Sequence, residues 1–204
     1  MFNIELLEDK NQKEGQHIIK NYYWKVNGIA VDKSYRLPVG DYVLVNEKIR
    51  DVIDRKKHRK MDVKMMDLLG TYSVSVDTKS GMAEIEQNLN GKGYERFRDE
   101  LILAQNNGIQ LFILIEDDGS YCDKRRTIYN KPCKSIDDVF SWKNPRLFIM
   151  SGGKQKYPRA KKGATIAKQM YTIEKEYGCR FMFCTSKEAG AKVIELLSLG
   201  VADE

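Results

Sequence analysis

The chain has 204 residues, of which 42% are hydrophobic and 31% are charged. That length suffices for one α/β domain with a sizeable core and is too short for two large domains. Lysine and arginine number 35 against 29 aspartate and glutamate, so the net charge of +6 favours a polyanionic partner over acidic-surface functions. No stretch approaches about 18 apolar residues, so we expect no membrane-spanning helix.

The first part of the chain predicts short strands around one helix. Residues 4–7 form an apolar strand, and they lack the basic flank and long apolar core of a signal peptide. Residues 16–27 have helical spacing that stops at Asn27-Gly28. Strands are predicted to follow within residues 28–35 and 39–45.

The middle of the chain predicts the centre of the sheet. A charged segment, residues 46–70, interrupts the succession of strands. Residues 72–78 predict a strand and residues 95–107 an amphipathic helix. Residues 109–116 are the most apolar run, and we therefore predict the central buried strand there.

After residue 118 the chain changes character. Residues 119–162 hold three of the four prolines and many lysines and arginines, which indicates an inserted flap. Residues 164–177 predict a helix, 178–184 a strand, and 186–197 a helix with Ser186 as its N-cap. We predict one α/β domain over residues 1–204, with insertions at about 46–70 and 119–162.

Cysteine and histidine usage argues against a zinc cluster. The four cysteines have no Cys-x-x-Cys spacing and there are only two histidines. Reduced thiols and a cytoplasmic location are the expectation for such a chain. The four cysteines are Cys122, Cys133, Cys179 and Cys184.

Two carboxylate segments carry the chemistry. Asp41 opens an apolar run, and Asp77 and Lys79 close another. Because side chains alternate along a strand, Asp77 and Lys79 project from one face. An acid from each of two neighbouring strands can hold a divalent metal, with the ammonium beside it to stabilise a phosphate. The pattern predicts phosphodiester hydrolysis, although Asp-x-Lys also occurs on solvated strand ends.

Four segments in order resemble the XPF-type nuclease domain of the PD-(D/E)XK superfamily. They are Leu37–Leu44 with Gly-Asp-Tyr, Val76–Ser80 with Asp-Thr-Lys, Arg96–Glu100, and Phe112–Glu116 ending in Ile-Glu. The resemblance covers about residues 4–118, with a looser echo near 163–198, and looks closest to compact single-domain versions in bacteriophages and prophages.

The resemblance implies a fold, an activity and partners. It implies a restriction-endonuclease-like core, in which helices flank a central mixed β-sheet and the insertions are basic. It implies a Mg²⁺- or Mn²⁺-dependent endonuclease that cuts DNA at branched or flap structures, with Asp41, Asp77 and Lys79 as catalytic residues. Suggested partners are a second copy of the chain and a phage or host DNA-processing protein.

The second segment departs from the family pattern. Asp77 stands where the family has Glu, which still leaves a carboxylate that can reach a metal. Thr78 replaces an Arg, so only packing is expected at this position. Ala83 stands where the family has a further Asp, and Glu84 or Glu86 can substitute. We take Glu84 as the candidate ligand.

Two further positions match in part. Asp9 matches the Asp of an N-terminal Asp-x-Arg-Glu motif. With Glu8 it can add a carboxylate to the metal site if the first strand lies beside that of Asp41, and the alternative is that both acids lie on a solvated strand end. Arg96 matches a family arginine and is a candidate phosphate ligand. Glu100 sits where the family has Gln. Four residues apart, Arg96 and Glu100 can instead form an exposed helical ion pair.

Two basic stretches are candidate grips on the DNA backbone. Phosphate contacts of this kind give sequence-independent, salt-sensitive affinity, although a charge run is also typical of a solvated face. The first stretch comprises Arg55, Lys56, Lys57, Arg59 and Lys60, and the second Lys154, Lys156, Arg159, Lys161 and Lys162.

Two function classes remain open. The first is the metal-dependent endonuclease, and the second is an inactive DNA-binding or assembly module that keeps the nuclease fold. The acids Asp41 and Asp77 together with Lys79 favour the enzyme.

Overall fold

The computed structural model describes residues 4–12, 15, 18–122 and 125–201. The strands are β1 (Glu5–Glu8), β2 (Ala30–Asp32), β3 (Tyr42–Leu44), β4 (Val74–Lys79), β5 (Gln110–Glu116), β6 (Ser120–Tyr121), β7 (Tyr129–Asn130), β8 (Met150–Ser151), β9 (Lys154–Gln155) and β10 (Arg180–Cys184). The α-helices are α1 (Ile18–Val26), α2 (Glu47–His58), α3 (Met82–Asn88), α4 (Gly91–Asn106), α5 (Ile136–Val139), α6 (Gly163–Tyr177) and α7 (Ala189–Ser198). Short 3₁₀ helices occupy Met65–Leu68, Pro145–Phe148 and Leu199–Val201.

Six strands form one mixed sheet in the order β10-β5-β4-β3-β1-β2. β10, β5 and β4 are parallel, whereas β3 runs antiparallel to both β4 and β1. The predicted α/β class with a central mixed sheet is therefore confirmed. The predicted central position of β5 is wrong, because β5 lies one strand from the edge. Its apolar run reflects burial on both faces, which does not determine its place in the strand order.

Helices cover both faces of the sheet. Ile113 and Ile115 of β5 belong to a core that includes apolar residues of α2, α3, α4 and α6. Phe112 and Leu114 of the same strand join a second core with Trp24 of α1 and residues of α7. The sheet is thus the middle of three layers. No helix among the described residues has the length and apolar character to cross a membrane.

The charged segment 46–70 contains a helix that packs on the first core. Asn46 begins α2 as its N-cap, and its side-chain oxygen accepts the Ile49 N–H at 2.9 Å. Ile49, Val52 and Ile53 are buried on the inner face, which leaves the charged residues outside. The segment is therefore an amphipathic element of the fold as well as a charged one.

The segment 119–162 consists of two small hairpins, β6-β7 and β8-β9, with α5 between them. Arg146 ties it to α3, because its Nη1 lies 2.8 Å from Oε2 of the buried Glu86. The predicted N-cap of the last helix is wrong. Ser186 instead binds Asp118 through its N–H and Oγ, and α7 begins at Ala189.

Candidate active site

The register of β3 and β4 places the two predicted acids side by side. Tyr42 pairs with Val76 in the antiparallel ladder, and Asp41 and Asp77 are the next positions along each strand. The Asp41 N–H donates to the Val76 carbonyl at 2.8 Å, which continues the pairing up to Asp41. Directly opposite residues share a face, so both carboxylates project on the same side of the sheet.

Asp77 and Lys79 form a buried ion pair on that face. The ammonium Nζ of Lys79 lies 2.7 Å from Oδ1 and 2.6 Å from Oδ2 of Asp77. The two residues are only 3% and 8% exposed. Apart from this ammonium, Oδ2 of Asp77 receives no hydrogen bond from the described residues. One buried carboxylate oxygen thus retains capacity for a further ligand.

Thr78 orients Asp41. Its backbone N–H and its Oγ1 both donate to Oδ2 of Asp41, at 2.8 and 2.9 Å. Oδ1 of Asp41 receives no hydrogen bond from the described residues. The threonine that replaces a family arginine therefore has a positioning role that the sequence did not indicate.

Glu100 is a third acid at this site, and sequence reasoning missed it. Its Oε1 accepts the Gly40 N–H at 2.8 Å, so α4 is connected to the residue before Asp41. On α4 the buried positions are Phe97, Leu101 and Ala104. Glu100 lies on the same helical face, because it is three residues beyond Phe97. An acid within the apolar stripe of a helix was the available signal.

Glycine is required at position 40 for two reasons. Its φ of +73° lies in the left-handed region, and a Cβ there would come within 2.0 Å of the Ser75 Oγ. Ser75 Oγ in turn donates to the Val39 carbonyl at 2.8 Å. The tight approach holds the Gly40 N–H towards Glu100 and Asp41 towards Asp77.

The electrostatics show an excess of negative charge. Burial raises the pKa of Asp77 well above its usual range, and Asp41 and Glu100 raise it further against the opposing effect of Lys79. Burial and Asp41 likewise raise the pKa of Glu100, although Lys79 and the Gly40 N–H act against the rise. Burial alone would lower the pKa of Lys79, but the three carboxylates raise it. Three acids thus share one buried ammonium.

This donor set fits a hard divalent cation. Carboxylate oxygens are the ligands that Mg²⁺ and Mn²⁺ prefer. One oxygen each of Asp41 and Glu100 accepts no hydrogen bond from the described residues, and Oδ2 of Asp77 contacts only the Lys79 ammonium. A divalent cation would relieve the repulsion that raises the two pKa values. Among the described residues, no three acid, His or Cys side chains are grouped closely enough to hold one metal ion. In the structure Asp77 contacts the Lys79 ammonium, whereas Asp41 is bonded to Thr78 and Glu100 to the Gly40 N–H.

The other two predicted ligands have structural contacts. β1 does lie beside β3, and the Asp9 N–H donates to the Asp41 carbonyl at 2.8 Å. The Asp9 carboxylate accepts the N–H groups of Asn11 and Leu37, at 2.8 and 2.6 Å. Glu84 accepts both the N–H and the Oγ–H of Ser80 at 2.8 Å, which secures the turn from β4 into α3.

Two more glutamates that the sequence analysis named lie away from the three acids. Glu8 is buried beside Tyr42 on the opposite face of the sheet, with Lys33 at 2.9 Å from its Oε2. Glu86 binds Arg146, as described above.

Arg96 is exposed on α4 and lies close enough to Glu100 to lower the pKa of that acid. The described residues include no ion pair between Arg96 and Glu100 at contact distance. The alternative of a simple surface pair is therefore not what the structure contains. Arg96 therefore stays a candidate phosphate ligand.

The first basic stretch lies on the last turn of α2 and just beyond it. Lys56 forms an ion pair with Asp67 at 2.8 Å and is half-buried. The exposed members are Arg55, Lys57, Arg59 and Lys60. Cations at a helix C-terminus also complement the helix dipole, so the position has a structural reason as well.

The second basic stretch is divided between surface and interior. The Lys161 ammonium turns inward to the Leu89 carbonyl and to Oε1 of Gln169, which lies 2.9 Å away. Burial lowers its pKa. This cation is therefore committed to packing, and we leave it out of the nucleic-acid surface. The exposed members are Lys154, Lys156, Arg159 and Lys162.

Comparison with known proteins gives one family and one fold. The ERCC4 domain family matches residues 10–197. No curated protein matches the chain. XPF from Aeropyrum pernix has a similar structure, with a TM-score of 0.52 and 14% identity, over 97% of this chain and 65% of that one. XPF from the same organism in complex with DNA gives a TM-score of 0.51 and 14% identity, over 99% and 67%. The chain spans about two thirds of the length of these proteins.

Proposed function

Because the chain belongs to the ERCC4 domain family, we propose that it is a metal-dependent endonuclease that hydrolyses DNA phosphodiester bonds. The observation that carries the proposal is the buried Asp77–Lys79 pair, with Asp41 on the neighbouring strand and Glu100 bonded to the Gly40 N–H. Such a site needs a second positive group to balance its charge, and a divalent cation with a phosphate is the combination that fits.

Each residue has a distinct part in the proposed chemistry. Asp41, Asp77 and Glu100 would hold Mg²⁺ or Mn²⁺, which when bound supplies Lewis acidity to the phosphate. Lys79 has a raised pKa, so it stays protonated and stabilises charge on the phosphate oxygens, without serving as a general base. Thr78 keeps Asp41 in place throughout.

The proposed substrate is DNA with a branch or flap. The fold neighbour from Aeropyrum pernix is recorded in complex with DNA, and the present chain has a net charge of +6. The exposed cations at the end of α2 and around β9 supply sequence-independent phosphate contacts. Homodimer formation and a phage or host DNA-processing partner stay predictions.

A second candidate function has one specific observation in its favour. Both oxygens of Asp77 are already within 2.7 Å of the Lys79 ammonium, as they would be in a site that no longer binds metal. The chain would then be a DNA-binding or assembly module with a nuclease fold. Direct metal titration separates the two candidates without requiring a known substrate.

The decisive test combines Mn²⁺ calorimetry with a cleavage panel. Wild-type protein should bind Mn²⁺ and cut at least one of flap, fork, four-way junction or plain duplex DNA, and EDTA should abolish cleavage. Asp41→Asn and Asp77→Asn should lose both metal binding and cleavage, since each removes an anionic ligand. Asp67→Asn is the matched control, because Asp67 is an acid in an ion pair outside the site.

The outcomes discriminate between the candidates. Mn²⁺ binding that Asp77→Asn leaves unchanged would contradict the assigned site. DNA binding without Mn²⁺ binding or cleavage would establish the assembly module. Asp9→Asn and Glu84→Gln decide whether those acids are ligands: loss of Mn²⁺ affinity assigns them to the site, and unchanged affinity with a lower melting temperature assigns them to their turns.

A further inference from the structure

The β6-β7 hairpin displays two tyrosine rings on one side. Tyr121 and Tyr129 are cross-strand partners, with ring centroids 5.0 Å apart and planes inclined at 52°. They are 52% and 50% exposed, so about half of each residue is open to solvent. The guanidinium carbon of Arg126 lies 5.7 Å from the Tyr121 ring centroid. We call these three residues the tyrosine platform.

The base of the hairpin is rigidly held although its rings are exposed. The buried Asp117 accepts the Gly119 N–H at 3.1 Å and the Cys133 N–H at 2.8 Å, which joins both arms to the end of β5. The buried Asn130 exchanges two hydrogen bonds of 2.9 Å with the backbone of Lys143. These bonds hold the backbone that carries the two rings.

Gly119 leaves room for one of the rings. Its φ is +79°, and a Cβ there would come within 2.5 Å of the Tyr129 hydroxyl oxygen. The ring of Tyr129 lies against bare backbone for this reason. Any side chain at position 119 would displace it.

The platform and the candidate active site are at the same edge of the sheet. Lys79 pairs with Ile115 in the parallel β4-β5 ladder, and β5 ends one residue later. Tyr121 lies six residues after Ile115, so the Cα atoms of these two residues are at most about 20 Å apart. A few nucleotides of single strand can bridge that distance.

We propose that the tyrosine platform stacks unpaired bases of a single-stranded DNA segment next to the cleavage site. Exposed aromatic rings stack bases of any sequence, and a guanidinium over the ring adds a cation for the backbone. The surrounding charge is complementary to phosphate, since residues 125–134 contain four cations and no acid. They are Arg125, Arg126, Lys131 and Lys134. The proposal rests on the proposed function, because it identifies the unpaired arm of the branch as what this surface binds.

The test compares two ligands that differ only in their bases. Fluorescence anisotropy in EDTA measures binding of a labelled oligothymidylate and of an abasic oligonucleotide of equal length. Tyr121→Ala and Tyr129→Ala should each weaken oligothymidylate binding by about fivefold to 150-fold. Abasic binding should stay unchanged, and Tyr121→Phe should bind like wild type. Tyr22→Ala is the control, because Tyr22 is an exposed tyrosine on α1, 69% exposed, outside the hairpin.

A gain-of-signal variant covers the case in which alanine disturbs the hairpin. Tyr121→Trp should lose tryptophan fluorescence on adding oligothymidylate and not on adding the abasic strand, because Trp24 and Trp142 are buried. Equal binding of the two ligands by wild type, or an equal loss with both in Tyr121→Ala, would refute stacking and leave the ring pair as hairpin packing. EDTA keeps this result independent of whether the protein cleaves DNA.

Discussion

Replacing Lys79 by methionine isolates the charge at the centre of the site. Methionine keeps most of the apolar stem and removes the ammonium that lies 2.6–2.7 Å from both oxygens of Asp77. The two side chains are 10% and 4% exposed, so water cannot replace the missing cation. The variant therefore contains a buried acid without a counter-ion.

The expected loss of unfolding free energy follows from that burial. Breaking a buried ion pair by removing one partner typically costs about 3–5 kcal/mol. A chain of this size loses about 2–4 °C of melting temperature per kcal/mol, so a decrease of about 6–20 °C is expected at pH 8 in EDTA. Adding Asp77→Asn to Lys79→Met should restore most of the lost melting temperature, because the double variant no longer buries an unpaired carboxylate. Turnover should fall about 10²- to 10³-fold, and Lys79→Arg should restore little of it.

A thermal-unfolding series with a surface control checks the reasoning. Lys192 and Glu195 lie 2.7 Å apart, but their side chains are 25% and 60% exposed, so Lys192→Met should cost at most about 1 kcal/mol. If Lys79→Met melts like Lys192→Met, or if Asp77→Asn does not rescue it, Asp77 is not ionised beside Lys79 and the electrostatic basis of the site is wrong.

Three further predictions use the same preparations. In EDTA the wild-type melting temperature should fall as pH rises from about 5 to 8, because the raised pKa values of Asp77 and Glu100 mean that the folded state binds more protons than the unfolded state. Adding Mn²⁺, or replacing Asp77 by Asn, should flatten this dependence on pH. A wild-type melting temperature that does not change with pH would contradict the assigned pKa shifts. Gly40→Ala should lower the free energy of unfolding by about 2–3 kcal/mol, because alanine adds left-handed backbone strain and displaces the buried Ser75 hydroxyl. Gly28→Ala, at φ +68° in open space, should lower it by only about 1 kcal/mol. Equal losses measured by chemical denaturation would exclude crowding by Ser75. Changing the four exposed cations of the first basic stretch to serine should lower the log-log salt slope of DNA binding by about 0.9 per lost phosphate contact, and an unchanged slope would make the stretch a solvated face. Those four residues are Arg55, Lys57, Arg59 and Lys60.

The strand carrying Asp77 and Lys79 was predictable because its pattern is local. Alternation assigns Asp77 and Lys79 to one face and Val76 to the other, and the structure has this arrangement. The sequence also predicted Asp41 and Asp77 on two neighbouring strands, whereas their antiparallel register comes from the structure. The face on which a strand residue lies follows from side-chain alternation, which can be read from the sequence of that strand alone.

Glu100 and Thr78 could not be assigned in the same way. Arg96 lies four residues before Glu100, so the local sequence is equally consistent with a surface ion pair. The side chain of Glu100 in fact accepts a hydrogen bond from the Gly40 N–H, which is distant in sequence. Thr78 acts through its backbone N–H as well as its hydroxyl, and a backbone donor has no sequence signature. The place of β5 one strand from the edge similarly depends on long-range pairing that burial does not encode.

The ammonium of Lys79 also sets a threshold for cation selectivity. Any cation that approaches Asp77 competes with the Lys79 ammonium. This ammonium is covalently tethered beside Asp77, so it loses no translational entropy when it pairs with the carboxylate. Na⁺ and K⁺ offer the same single charge without directed N–H donors, so they have little to gain in this position. Under the proposed function, an ion with two charges would gain from all three carboxylates together, and the lysine would face the phosphate.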